Sequence, residues 1–423
     1  MNKDRLKSFF SRRSKACVGI FGITQLHLRN PFVVAWWSAA FPGLGHIILS
    51  KYLRGYILFL WEIVINLQSN INLGFFYSFT GRFDMAKAVI NKSWVLLYIP
   101  TYLFAVWDSY RTTVDINHHY ILASREDAEI KTNSISTVEF NYLDKRIPCV
   151  SLVWSGLMPG IGQLYLHRLP AAFFILFWWI VIIYFSKALP AIHYTLTGNP
   201  SQAAVVLDPQ WFLNLPSIYF FSAYDAYTKT VENNKLFEWE QSKFLQRSYQ
   251  NGLFHMPSKK KENIGESMHI VSTFEHSIYL EIAITAIQMK GIDKKDILAI
   301  PMDKKGGSVQ LFDSIHSSDG LSLLDLPMII ATLFTLFGGI YGFILKWGPI
   351  IWGLIGMIIG LFLGLTIKIL INRKYSDQRN NKKSAEVVLI IECTENQAET
   401  VKNTLWEHHA LGVRKLILGK DMQ

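Results

Sequence analysis

Residues 37–49 read WSAAFPGLGHIIL and residues 154–166 read WSGLMPGIGQLYL, one pattern written twice at an offset of 117 positions. Held at that offset without gaps, the match runs from about Trp37 to Asn117 in the first copy. Identities continue through Trp61 with Trp178, Ile63 with Ile180, Gly81 with Gly198, Trp94 with Trp211, Tyr102 with Tyr219, Asp108 with Asp225 and Tyr110 with Tyr227. Random pairing over such a window gives about five identities at ordinary residue frequencies, so the chain carries a tandem duplication.

Each copy opens with an apolar run interrupted by Pro42-Gly43-Leu44-Gly45 or Pro159-Gly160-Ile161-Gly162. Proline removes a backbone donor and glycine loosens a helix, so Pro42, Gly43, Gly45, Pro159, Gly160 and Gly162 predict helix breaks. A second apolar run follows, Leu53 to Leu67 and Pro170 to Ser186. Then come a polar loop ending near Trp94 or Trp211 and a third run closing on WDSY (107–110) or YDAY (224–227).

The composition says where such runs belong. Of 423 residues half are hydrophobic, 14% are aromatic and only 17% are charged, against about 25% charged in soluble domains. A simple soluble enzyme is excluded, and a polytopic membrane protein with aromatics at the lipid interface is expected. The net charge of +10 resides in residues that flank the apolar spans, as in cytoplasmic loops, which argues against a nucleic-acid partner. Cys17, Cys149 and Cys393 form no CxxC pair, so neither a disulfide framework nor a zinc site is implied. The basic N-terminal segment, 1–30, reads as uncleaved and cytoplasmic, with an interfacial amphipathic helix.

The glycine-rich G-x-G-[HQ] stretch before a hairpin and the acidic residue late in the last helix of each copy resemble the TM2 domain, a small two-helix membrane module. The resemblance covers 31–117 and 148–234, joined by a cytoplasmic connector, 118–147. It constrains fold more than function: each copy contributes two spans if its broken first run is re-entrant or interfacial. The alternative, a first run that crosses fully, makes three spans, inverts the second copy and places Lys51, Arg54 and the 111–146 cluster outside. The Lys and Arg census prefers two spans: with both copies facing the same way, the external loops 70–92 and 188–208 hold only Arg82, Lys87 and Lys92.

Beyond an amphipathic segment and polar linker, 235–268, the pattern changes. Residues 269–325 read strand, helix, strand, and 373–423 read the same again. Between them, 326–372 holds two apolar stretches long enough to span, turning at Trp347-Gly348-Pro349. The expected fold class is therefore a mainly α-helical polytopic membrane protein with a small α+β cytosolic module, ferredoxin-like and split by a membrane hairpin. That layout resembles cytosolic modules in uncharacterised membrane proteins of Gram-positive bacteria. Gly338 with Gly342, and Gly356, Gly360 and Gly364, recur every four residues, a spacing that lets helices approach closely in lipid, within the hairpin or between protomers.

Intramembrane carboxylates are functional candidates by default. Asp108 and Asp225 occupy matched positions, with Arg111 and Lys229 one turn on, which predicts ion pairs along one helix face. Glu62 lies within LFLWEIVIN and has Trp179 as its counterpart. His46 and Gln163, at matched positions after the breaks, are expected to satisfy backbone groups freed there. The pairs His118-His119 and His408-His409 lack acidic or cysteine partners at ligand spacing, so no metal is expected. No nucleotide or nucleophile motif is present, and neither a cofactor nor a catalytic residue is assigned. The expectation is a non-enzymatic scaffold or sensor in a bacterial cytoplasmic membrane, with both termini cytoplasmic. Its partners are the lipid bilayer, a further copy through the glycine-rich hairpin, and a cytosolic protein or small ligand. The alternative is a transporter or channel of small solutes or ions using the intramembrane carboxylates.

Overall fold

The computed structural model describes residues 13–250, 254, 267–302, 322, 324–373 and 386–416. The chain is mostly helical with a small amount of sheet, and it divides into two compact units. One comprises 1–142, 147–232 and 309–377; the other comprises 143–146, 233–308 and 378–423.

The first unit opens on an antiparallel hairpin, β1 (Ala16–Gly19) and β2 (Gly22–Gln25). An interfacial helix was expected here, so for residues 16–25 this is a correction; residues 1–12 lie outside the described part. Val18 and Ile23 are buried opposite each other while Cys17 and Thr24 face out, an alternation with the period of a strand.

Six helices follow in the first copy: α1 (Pro31–Ala40), α2 (Leu44–Ile48), α3 (Tyr52–Ser69), α4 (Ile71–Phe79), α5 (Phe83–Val89) and α6 (Lys92–Glu126). After a short hairpin, β3 (Asn133–Ile135) with β4 (Phe140–Tyr142), the second copy repeats the order. Its elements are α7 (Pro148–Leu157), α8 (Ile161–Tyr165), α9 (Leu169–Phe185), α10 (Ala188–Leu196), α11 (Pro200–Val206), α12 (Pro209–Phe212) and α13 (Leu215–Tyr249). Every start from α1 to α6 recurs 117 positions later. So do the left-handed residues, Gly43 with Gly160, Ser50 with His167, Asn70 with Lys187 and Gly81 with Gly198.

The Pro-Gly stretches do break the first run. Gly43 (φ 97°) and Gly160 (φ 101°) turn the chain in the left-handed region, where only glycine is free of strain. Gly45 and Gly162 then let α2 and α8 lie directly on the helix before them: a Cβ would come 2.5 Å from the carbonyls of Val34 and Ser151 respectively. Two expectations are corrected. The polar loops 70–92 and 188–208 are largely helical, folded as the pairs α4–α5 and α10–α11 around Gly81 and Gly198. The third helix runs well past WDSY and YDAY, so residues 118–126 of the connector are helix, and the amphipathic start of 235–268 is helix as far as Tyr249.

Next along the chain come β5 (Ser267–Phe274), α14 (Ile278–Met289) and β6 (Ile297–Pro301), then the hairpin helices α15 (Asp325–Gly342) and α16 (Gly348–Arg373). Past the hairpin come β7 (Val387–Thr394), α17 (Glu395–Glu407) and β8 (Gly412–Leu416). The strands on either side of the hairpin form one antiparallel sheet in the order β6-β7-β5-β8. Central β5 and β7 pair along their whole length, from Ser267 with Thr394 to Phe274 with Val387. Ile270, Phe274, Leu280, Ile284, Leu389, Ile391, Val401 and Leu405 fill the core between this sheet and its two helices. Thr394 and Gln397 close a reciprocal capping box at the start of α17.

Cys393 is buried in that core, and burial pushes its thiol above the ordinary value, whereas Cys17 is exposed. At neutral pH a maleimide is expected to label Cys17 at least about tenfold faster than Cys393, the gap narrowing as rising pH supplies thiolate. Equal rates in the folded protein, read by mass spectrometry, would contradict this core.

Within the hairpin all five stripe glycines face the opposite helix of the same hairpin. A Cβ on Gly338 would collide with the Trp352 carbonyl, on Gly342 with Pro349, on Gly356 with the Phe334 carbonyl, on Gly360 with Ala331 and on Gly364 with Pro327. The stripe is therefore consumed inside one chain. Packing within the hairpin, one of the two uses expected of Gly338, Gly342, Gly356, Gly360 and Gly364, is the one the structure forms.

Candidate functional site

The two copies bury the same arrangement at the same place. In the first, the ring Nε2 of His46, just past the break, lies 2.9 Å from Oδ2 of Asp108 on α6, and Arg54 of α3 donates to that oxygen at 2.7 Å. In the second, Gln163 donates to Asp225 on α13 at 3.1 Å and to the Ser222 carbonyl at 2.9 Å. Arg168 closes the site, donating to Asp225 at 2.5 Å and, from its other terminal nitrogen, to the Tyr52 hydroxyl of the first copy at 3.2 Å. Thus His46 and Gln163 tie the broken helix to the third helix, where backbone satisfaction at the break had been expected.

The expected ion pairs are not formed. Arg111 lies over the Trp107 ring and Lys229 donates to Glu232 at 2.9 Å, while the aspartates take their cations from the start of the second helix. Asp108 and Asp225 reach the preceding helices, where Arg54 and Arg168 stand within hydrogen-bond distance, while Arg111 and Lys229, on neighbouring positions of the same helix face, are engaged by Trp107 and Glu232. Arg54 and Arg168 are not counterparts: Ala171 matches Arg54 and Lys51 matches Arg168. The charge is conserved between copies by a different position one turn away, so repeat identity alone did not flag either arginine. Arg54 is half exposed, whereas Arg168 is 1% exposed, so the second site is sealed and the first is reached from outside.

Two further clusters join the copies. Arg29 grips Glu232 with Nε at 2.9 Å and a terminal nitrogen at 2.6 Å, and Lys229 adds a third bond to the same carboxylate. Gln210 of the second copy donates to the Asn66 carbonyl at 2.8 Å and to its side-chain oxygen at 2.7 Å, and accepts from the Leu73 amide at 2.8 Å. Next to it Glu62, 4% exposed, accepts from Asn66 at 3.2 Å and Tyr98 at 3.4 Å, and its second oxygen has no partner among the described residues. Arg29 is matched by Arg146 but lies before the stretch compared, and Glu232, Asn66 and Gln210 fall on Asp115, Ile183 and Ser93, so repeat identity did not signal these clusters.

One clasp extends the repeat beyond its sequence signal. Asn117 brackets Arg29, accepting from its amide at 3.0 Å and donating to its carbonyl at 2.8 Å, and Asn234 does the same to Arg146 at 2.8 and 2.7 Å. The matched tyrosines also agree: Tyr102 donates to the Ala39 carbonyl at 2.9 Å and Tyr219 to that of Gly156 at 2.6 Å.

Fold and site together define a duplicated helical protein in which two to four helices are long and apolar enough to cross a membrane. These are α15 and α16, with the bent pairs α5–α6 (86°) and α9–α10 (62°) as the further two. Comparison with family models, curated proteins and solved structures returns no match to the chain. Among the described residues no group of three or more His, Cys, Asp or Glu side chains is placed to hold a metal ion.

Proposed function

We propose that the chain is a multi-pass protein of a bacterial cytoplasmic membrane, built from two TM2-like copies and a ferredoxin-like module, and that it works as a scaffold or sensor without chemistry of its own. The observation that carries this reading is the sheet order β6-β7-β5-β8. Numbered by occurrence it runs 2-3-1-4, the order of a ferredoxin-like sheet, and its central pair β5–β7 joins sequence from before and after the hairpin. A ligand or protein bound to that sheet engages both arms that lead into the membrane hairpin, which suits a reporter of binding. The pairing of Asp108, Asp225 and Glu232 with cations inside the helical unit supports a structural role for those carboxylates.

The short α1 and α7 support two spans per copy. At about 1.5 Å per residue a ten-residue helix covers half of a hydrocarbon core, so each lies as a half-span and both copies face the same way. Exposed Arg82 and Ser201 then share the external side and exposed Arg125 the internal one. The test is single-cysteine labelling at 82, 201 and 125 with a membrane-impermeant maleimide, the native cysteines replaced by serine. Labelling of 82 and 201 from opposite sides would overturn the reading.

The unpartnered oxygen of Glu62 favours transport as the second reading. In proteoliposomes we expect no proton or potassium flux above empty vesicles, and hence no effect of Glu62→Gln. A flux that Glu62→Gln reduces about tenfold or more, as for an obligate carboxylate, would replace the scaffold reading with the transporter.

A further inference from the structure

The junction between the two copies is head to tail. Trp37 of α1 packs against Phe221 and Tyr224 of α13, with ring centroids 5.6 and 5.2 Å apart. Tyr56 of α3 stacks on Phe174 of α9 at 4.0 Å, and Phe59 meets Trp178 at 5.2 Å. If the copies met about a local twofold axis, the matched residues would make the same contacts again: Trp154 against Phe104 and Trp107, and Phe173 against Ile57. They do not. Trp37 is 0% exposed and its counterpart Trp154 is 45% exposed; Phe221 and Tyr224 are 0% and 6% exposed and their counterparts Phe104 and Trp107 are 46% and 53% exposed. Phe173 and Ile57 are each 58% exposed. The chain therefore uses this interface once and leaves both halves of it bare, the acceptor face on the first copy and the donor face on the second.

We propose that a second copy of this chain occupies these faces, the Trp154–Phe173 surface of one protomer seating on the Phe104–Trp107 surface of the next. The inference deepens the scaffold reading and rests on it, naming the partner as the chain itself. The occupant follows from continuity with the interface already formed: each bare face is the sequence and structural counterpart of a face whose complement is present in every protomer. A heterologous contact of this kind extends into a ring or a linear array rather than stopping at a pair. Lipid also covers exposed aromatic side chains, so the experiment has to separate lipid from protein.

Ser217 donates to the Ala40 carbonyl at 3.2 Å across the internal junction. Its counterparts, Pro100 and Leu157, are both exposed and should be neighbours between protomers. In the full chain, with Cys17, Cys149 and Cys393 replaced by serine, Pro100→Cys and Leu157→Cys proteins are reconstituted together in phosphatidylcholine–phosphatidylglycerol vesicles and treated with a short bismaleimide. The mixture should give a cross-linked dimer that neither protein gives alone, and the double variant should give a ladder. Trp107→Ala should cut the yield at least fivefold with an unchanged melting temperature, since Trp107 is on the surface. No adduct in the mixture at any protein-to-lipid ratio leaves lipid as the occupant and overturns the proposal. An adduct from Pro100→Cys protein alone, which means a face-to-face contact, overturns it too. If the labelling at 82, 201 and 125 holds while the cross-link fails, the interface is wrong and the membrane reading stands.

Discussion

Replacing Gly356 by alanine is expected to destabilise the protein by about 2–3 kcal/mol, even though alanine is the better helix former by about 1 kcal/mol. The added Cβ would collide with the Phe334 carbonyl oxygen and crowd the Thr335 amide, which are backbone atoms of the facing helix. Neither can turn aside as a side-chain tip would, so α15 and α16 must separate. Separation also loosens the contacts at Gly338, Gly360 and Gly364, because one rigid helix carries all of them. Gly353 lies on the same helix, yet a Cβ there would meet nothing closer than 3.9 Å. Gly353→Ala should therefore be neutral or mildly stabilising. Thermal unfolding of the two variants in detergent decides the point: equal shifts would mean that the hairpin is not backbone-packed and that its glycines are free for another partner.

The second large effect is expected at Arg168. Arg168→Met leaves Asp225, 0% exposed, with Gln163 alone to balance a buried negative charge, at a cost of about 3–5 kcal/mol. Arg54→Met at the matched site should cost less than about 1 kcal/mol, since Arg54 is half in solvent and His46 still contacts Asp108. One oxygen of Asp225 and Nε of Arg168 have no hydrogen-bond partner among the described residues, so even the intact pair is incompletely compensated. Adding Asp225→Asn to Arg168→Met should then recover most of the loss. A double-mutant cycle measures this as a coupling of about 2 kcal/mol or more. Additive losses would show that Arg168 acts through packing and its bond to Tyr52 rather than through the charge.

These two cases mark how far the residues could be read. The break at Pro42-Gly43 and Pro159-Gly160, the hairpin turn at Gly348 and the strands around it depend on local chemistry: a missing donor, a left-handed turn, an alternation of period two. Those followed from composition and spacing. The helical nature of 71–79 and 188–196 did not, because Asn70, Lys187 and the Thr-Gly pairs at 80–81 and 197–198 read as loop, while the apolar faces between them are short. The candidate aspartates and the His46 and Gln163 positions were visible by duplication. Their cations were not, since Arg54 falls on Ala171 and Arg168 on Lys51, so a different position closes on the aspartate in each copy.

Sequence by itself established the duplication, the apolar runs, the sites of the helix breaks and the split strand-helix-strand pattern, all of which follow from residue type within a few turns of chain. Only the tertiary structure decided which cation closes on which carboxylate, that the glycine stripe is spent inside its own hairpin, and that the copies meet head to tail. Those outcomes depend on the direction in which a side chain leaves its helix and on what lies opposite, and a repeat in sequence carries no record of which of its two equal faces is covered.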